Sequence, residues 1–319
     1  MARGPGERTS NKSAHAIDVD LIAVLVAVTD GEPRVLTVEN GAALPSGPFE
    51  HEHRSLQTGL RIWVERQTRQ PLGFLEQLYT FADRDRGEGA ASRTISISYL
   101  GLTREQTEEA KRESGWRNWY EFFPWEDRRR DVSALDEAFA RRLRDWARSA
   151  PDRGESARRK KRIAASFGLD GRLWNEELVL QRYELLYEAA LIPEAARDNG
   201  VKKAAEAPEF GRPMAGDHRR ILATAIARLR AKIKYRPVVF ELMPASFTFL
   251  QLQRSVEALA GREVHKPNFR RLIEQQELVE ETGETSTETP GRPARFYRFR
   301  EAVLAERASA GTRLPLIRA

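Results

Sequence analysis

The stretch from about 237 to 300 leaves few folds open, because Thr248, Gly261, Pro267 and Gly291 punctuate it into two short helices and then two strands. Thr248 is placed to cap a helix whose apolar residues Phe249, Leu252, Val256 and Leu259 recur about once per turn. Gly261 ends it where a left-handed residue is needed. Pro267 suits the first turn of a second helix, where its missing N–H would have no partner anyway. At about 100° per residue, Phe269, Leu272 and Ile273 share one narrow face and leave Arg270, Arg271, Glu274 and Gln275 on the other. Stretches 279–282 and 294–299 read as strands, joined by a polar loop with Gly291, Arg292 and Pro293. A helix-turn-helix with a two-stranded wing over 236–302 is a DNA reader that lays its second helix in the major groove. The expected contacts are Thr248, then Lys266, Asn268, Arg270, Arg271 and Gln275 on that helix, and Arg292 and Arg295 on the wing, where a guanidinium reaches minor groove or phosphate. The plainer alternative is a small helical domain with a hairpin, since the charge of 262–300 is nearly balanced.

With 319 residues the chain has room for two or three domains, and its net charge of +6 suits an anionic partner without requiring one. The absence of Cys excludes disulfides, thiolate nucleophiles and Cys zinc sites. No apolar run approaches the ~18 residues of a membrane span, and residues 1–16 lack the apolar core of a signal peptide. We therefore expect a cytoplasmic protein with no membrane partner, with a disordered tail at 1–16 and a C-terminal tail at 303–319.

Residues 17–125 read as mixed α and β. Stretch 21–28 is an apolar strand, Asp30-Gly31 a hairpin turn and 35–38 the returning strand; a helix spans about 55–67, and 74–81 and 94–100 are strand-like. Trp116, Trp119, Tyr120, Phe122, Phe123 and Trp125 crowd together, which is the mark of a core, with ligand stacking as the sharper alternative. Residues 126–213 form a helical insertion with polar linkers. Leu135, Phe139, Leu143 and Trp146 make one amphipathic stripe, and Trp174, Leu178, Leu185 and Ala189 another. The five basic residues Arg158 to Arg162 between them read as a solvated linker, with an auxiliary phosphate contact as the alternative. Residues 214–235 form a linker helix with Ile221, Leu222, Ala225, Ile226, Leu229 and Ile233 in register, a place where dimer contacts are commonly built. Asp217 is placed to cap it.

The segment 44–68 is similar to the Nudix box, in which a helix carries carboxylates that hold Mg²⁺ against a diphosphate. Gly47, Arg61, Trp63 and Glu65 fall on the pattern, but His53, Ile62, Arg66 and Thr68 replace its other Glu residues and its last Gly. One surviving carboxylate and an added guanidinium cannot assemble the divalent cluster. We expect Arg61 and Glu65 to form a structural ion pair. His51 and His53 are one residue apart and diverge on a helix, so they do not suggest a metal pair.

Taken with FLEQLYTFADRDR at 74–86, GDHRRILATAIARLRAKIKY at 216–235 and the C-terminal NFRRLIEQQELVEETGE and GRPARFYRF, the broken box resembles the Nudix-related transcriptional regulators of NAD metabolism. Within that group the chain looks most like the alphaproteobacterial NadQ type, which represses NAD biosynthesis genes. The resemblance implies an α+β protein: a degenerate Nudix-like α/β/α sandwich, the helical insertion and the winged helix-turn-helix. It also implies a homodimer, a palindromic double-stranded operator, no catalysis, and an effector nucleotide (NAD, ADP-ribose or ATP) held without hydrolysis. Arg66, Arg84 and Arg86 are the candidates for its pyrophosphate, and Tyr79 and Phe81 for stacking on its base. The competing function is an active Nudix pyrophosphatase, acting on ADP-ribose or NAD, with an accessory nucleic-acid-binding domain.

Overall fold

The structure is a computed structural model that describes residues 17–73, 75–82, 93–105, 115–200, 208–235, 238–286 and 293–301. Strand β1 (Ile17–Thr29) is its axis. Leu21, Ala23, Leu25 and Ala27 point to one side of β1 and Ile22, Val24 and Val26 to the other, and all seven are at most 2% exposed. A strand covered on both faces needs no polar alternation, which is why it reads as an unbroken apolar run. Asp30 and Gly31 take the positive φ of 54° and 73° that a two-residue hairpin demands, and Thr29 pairs with Glu32 across it. Strands β2 (Glu32–Leu36), β3 (Ser46–Pro48), β4 (Leu75–Phe81), β5 (Arg93–Leu102) and β6 (Trp116–Asn118) complete a mixed sheet of order β4-β5-β1-β2-β6, with β3 beside β1. Only β5 runs parallel to β1 among the pairings described, and a register shift between Gln77 and Tyr79 bulges β4 against β5.

Helix α1 (Leu56–Thr68) is capped by the Ser55 hydroxyl and packs Leu60 and Val64 onto the face formed by Leu21, Leu25, Leu36 and Tyr99. The opposite face meets the aromatic segment and the helices that follow it. These are α2 (Ser133–Arg148), α3 (Arg153–Phe167), α4 (Val179–Glu188), α5 (Pro193–Asp198) and α6 (His218–Tyr235). Layers on both sides of one sheet make the α/β/α sandwich. The aromatic segment is core: Trp119, Phe122, Phe123 and Trp125 are at most 1% exposed.

A short strand β7 (Phe247–Thr248) then leads into α7 (Phe249–Ala260) and α8 (Lys266–Gln275), and β8 (Val279–Ser286) and β9 (Ala294–Phe299) form the wing in the order β7-β9-β8. Gly261 caps α7 at φ 71°. The winged helix has no core of its own; Leu252, Leu259, Val279 and Tyr297 join the apolar mass that continues through α6 to the sheet. No helix among the described residues is long and apolar enough to cross a membrane.

Four expectations need correction. The basic run 158–162 is no linker but the middle of α3: Asp152 caps the helix, Glu155 pairs with Arg158 and Arg159 one turn on, and Ile163 and Phe167 anchor its end in the core. Trp174 and Leu178 precede α4 instead of lying on it. The apolar side chains Ile221, Leu222, Ala225, Ile226 and Leu229 of α6 are at most 1% exposed within the chain, so they are not a dimer face. Leu272 is 50% exposed, leaving Phe269 and Ile273 to seat α8.

Candidate nucleic-acid interface and nucleotide site

Thr248 and Gln251 form a reciprocal capping box, the Thr248 hydroxyl accepting the Gln251 amide at 3.2 Å while the Gln251 side chain accepts the Thr248 amide at 2.7 Å. The hydroxyl oxygen that we assigned to DNA therefore has a structural partner in the free protein. Helix α8 is held by so few apolar contacts that Lys266, Asn268, Arg270, Arg271 and Gln275 are all exposed. Arg270 is not idle: its Nε lies 2.9 Å from Glu274 and its guanidinium sits 5.1 Å from the centre of the Phe249 ring. Arg271 is exposed and has no carboxylate partner among the described residues, which leaves its guanidinium open to an outside acceptor. On the wing Arg295 lies 2.6 Å from Glu281, and Arg298 lies 2.7 Å from Glu280. The first pairing holds the Glu281 carboxyl below its ordinary range. Arg292 falls outside the described residues.

At the Nudix-like box, the His53 ring stands where the pattern needs its first carboxylate and packs against Trp63. A Cβ on Gly47 would come 2.3 Å from the Trp63 ring, whose Nε1 donates to the Pro48 carbonyl at 2.9 Å. His53 turns edge-on to Trp63 with ring centres 6.4 Å apart, presses on Gly59, and accepts the Glu50 amide at Nδ1. Only a glycine admits each ring. Glu65 is exposed on α1. Arg61 does not pair with it: the guanidinium donates to the Leu72 and Gly73 carbonyls at 2.5 and 2.6 Å, closing the turn after the helix. These residues do not fit a divalent cation. Among the described residues no three His, Asp or Glu side chains gather as a metal site.

The expected nucleotide contacts are not brought together. Arg66 rides on α1 over Trp63, 5.6 Å from its ring centre, on one side of the sheet. Tyr79 and Phe81 lie with ring centres 4.9 Å apart on the other side, where Phe81 enters the core shared with α6. Tyr79 is 59% exposed and free to stack, but Phe81 is 5% exposed and covered by Arg220, so it cannot receive a base. Arg84 and Arg86 lie outside the described residues.

Sequence reasoning missed the ionic joint beneath the winged helix. Glu126, fully buried, accepts from Arg182 at 2.5 and 2.8 Å and from Arg230 at 2.5 Å. Burial alone would push the Glu126 carboxyl up, but the two guanidiniums outweigh it and hold it below the usual range. Arg230 also donates to the Leu259 carbonyl at 2.9 Å, and the Tyr120 hydroxyl donates to that of Ala258 at 2.7 Å, so both grip the last turn of α7. Glu176 of the insertion adds Lys234 and Arg262 from above, at 3.1 and 3.4 Å. At the other end of α6, Arg219 binds Glu194 and the Phe122 carbonyl, and His218 Nδ1 accepts the Leu44 amide at 2.9 Å. Asp217 stands just before the helix: its carbonyl accepts the Ile221 amide, and its carboxylate lies 3.5 Å from Arg220. The signal was present in the sequence, since Arg219 and Arg230 fall on the same helical stripe as Leu222, Ile226 and Ile233.

Residues 239–299 match the family of NrtR DNA-binding winged helix domains. A protein of Acinetobacter baylyi named an ADPR responsive transcriptional repressor is 38% identical over 86 residues, which are 27% of this chain and 34% of that protein. The chain thus spans about a third of the length of that relative. Among solved structures, Shewanella oneidensis NrtR in complex with a 27mer DNA aligns over 90% of this chain and 95% of its own, with 19% identity and a TM-score of 0.50. A MutT/nudix family protein from Enterococcus faecalis aligns over 93% and 90%, with 16% identity and a TM-score of 0.51. These likenesses establish the fold: a Nudix-like α/β domain carrying a C-terminal winged helix.

Proposed function

We propose that this chain is a dimeric, operator-binding repressor of NAD biosynthesis genes, of the NadQ type, in which the Nudix-like domain binds an effector nucleotide without hydrolysing it. The observation that carries this reading is the box itself: His53, Ile62 and Arg66 replace its carboxylates and an aromatic plug fills it, while a buried ionic joint ties the domain to α7, the first helix of the winged helix. ADP-ribose stands first among the effectors because the Acinetobacter baylyi relative is named for responding to it; NAD and ATP share its adenine and pyrophosphate or polyphosphate chemistry.

Calorimetric titration with ADP-ribose, NAD, ATP and nicotinamide mononucleotide, with and without operator, tests the coupling. Whatever factor the nucleotide imposes on DNA affinity, the operator must impose on nucleotide affinity. Identical nucleotide Kd values in the two titrations would remove control while leaving binding. The competing pyrophosphatase predicts Mg²⁺-dependent release of AMP from ADP-ribose or NAD at a kcat on the order of 1 s⁻¹ or more. We expect none above background.

A further inference from the structure

The positive charge of this chain does not sit on its DNA reader. Residues 239–299 hold eight Lys and Arg against nine Asp and Glu, and the wing cations Arg295 and Arg298 face Glu281 and Glu280. Residues 141–162 hold ten Lys and Arg against three Asp and Glu, an excess of seven in a chain whose net charge is +6.

That excess is gathered at one place. Helices α2 and α3 run antiparallel, with Phe139 stacked on Phe167 at one end, ring centres 6.0 Å apart, and Arg159 over Trp146 toward the other, 4.3 Å from its centre. The cations lie on the last two turns of α2 and, beyond Arg153, on the middle of α3, in the half of the hairpin nearer its tip. Five of the ten have carboxylate partners: Arg142 with Glu209, Arg148 with Asp145, Arg158 and Arg159 with Glu155, and Arg162 with Glu188. The other five, Arg141, Arg144, Arg153, Lys160 and Lys161, are exposed and have no carboxylate partner among the described residues. Like charges so crowded repel one another, which a solvated face avoids by interspersing signs.

We propose that the tip of the α2–α3 hairpin is a second DNA contact, which grips the phosphate backbone of the duplex beside the operator. The proposal rests on the operator-binding reading above. Phosphate contacts are sequence-independent, supply most of the non-specific affinity and release counterions, so a reader with no net positive charge needs them from elsewhere. The tip is held at a fixed place relative to α8. Arg182 bonds the Ser166 carbonyl at the root of α3, shares Glu126 with Arg230, and through it reaches Leu259 at the end of α7.

The test compares the full-length protein with a triple variant, Arg144→Gln, Lys160→Gln and Lys161→Gln. Two duplexes are used: the shortest that the wild type protects in a footprint, and the same one extended by about 10 bp, one helical turn, on each side. The wild type should bind the extended duplex more tightly. The variant should lose that gain, and its slope of log K against log salt should fall by up to about five on the extended duplex, at ~0.9 per lost phosphate contact and three contacts on each of two protomers. Base preference within the operator should not change. Indifference of the wild type to extension, or an unchanged slope in the variant, would overturn the proposal. So would capture of the wild-type tip by phosphatidylserine vesicles with no effect on the DNA slope, which would assign it to a membrane surface. No footprint on any duplex would instead remove the operator-binding reading, and the proposal with it.

Discussion

His218 shows how much one side chain can decide. Its Nδ1 must stay unprotonated to accept the Leu44 amide, and burial, helped by the nearby Arg197 guanidinium, lowers its pKa to about 4. An unfolded His titrates near 6.5, so the folded form binds its proton less readily, and stability complete above about pH 6.5 is lost as pH falls toward 4. Between pH 7 and pH 5 the wild type should lose about 2 kcal/mol more than His218→Asn, whose Oδ1 keeps the acceptor without the proton. Parallel urea curves for the two proteins at both pH values would refute this. On α8, Arg271 has no carboxylate partner among the described residues, whereas Arg270 is held by Glu274 and Phe249. Arg271→Ala should therefore cost about 1–3 kcal/mol at a single base position, and Arg270→Ala less at any one position. Footprints over a set of operator variants separate the two; an unaltered base preference in Arg271→Ala would take α8 out of the groove.

Helix α6 is the element on which the architecture turns, and it is unusual in burying two guanidiniums, Arg219 and Arg230, along its apolar stripe. A buried ion pair adds little over an apolar substitute, but breaking it leaves a stranded charge. Arg230→Met removes one of two cations from Glu126 and the bond to the Leu259 carbonyl in the last turn of α7, so it should destabilise the chain by about 3–5 kcal/mol and loosen the winged helix first. Gly261 closes the same joint. Its φ of 71° disfavours any side chain, and a Cβ there would stand 2.3 Å from the Glu126 carbonyl. Chemical denaturation of Arg230→Met and Gly261→Ala, read together with protease cutting between α6 and α7, checks both. Cutting that stays at wild-type rates would mean that the joint does not fasten the reader.

At the scale of the molecule, the sheet, the insertion and the winged helix share one apolar core, so the proposed effector would reach α8 only by shifting a packed body and not by tightening a tether. The insertion acts as the brace of that body, since Glu126 and Arg182 sit in its core and Glu176 holds Lys234 and Arg262. The proposed two-fold dimer would then be built from surfaces other than the apolar side of α6. If two copies pair about such an axis, hydroxyl-radical footprints should show palindromic half-sites about one helical turn, ~34–36 Å, apart or a multiple of it. A single asymmetric half-site bound by a monomer in sedimentation would contradict the two-fold arrangement.

Local chemistry was enough for the sequence to determine β1, the Asp30-Gly31 hairpin, the Thr248 cap, the Gly261 stop and the wing, because each depends on neighbours within a turn or across a hairpin. The loss of the Nudix carboxylates was equally plain in the residues themselves. What tertiary structure alone decided was which side chains meet. It set Arg66 and Tyr79 on opposite faces of the sheet, put Phe81 under Arg220 and turned the basic run into a capped helix. It also joined Glu126 to Arg182 and Arg230, 56 and 104 residues away in the chain. Spacing along a helix or strand assigns a residue to a face, but only the packing of that face against another element says whether a cation there meets water, a carboxylate or a ring.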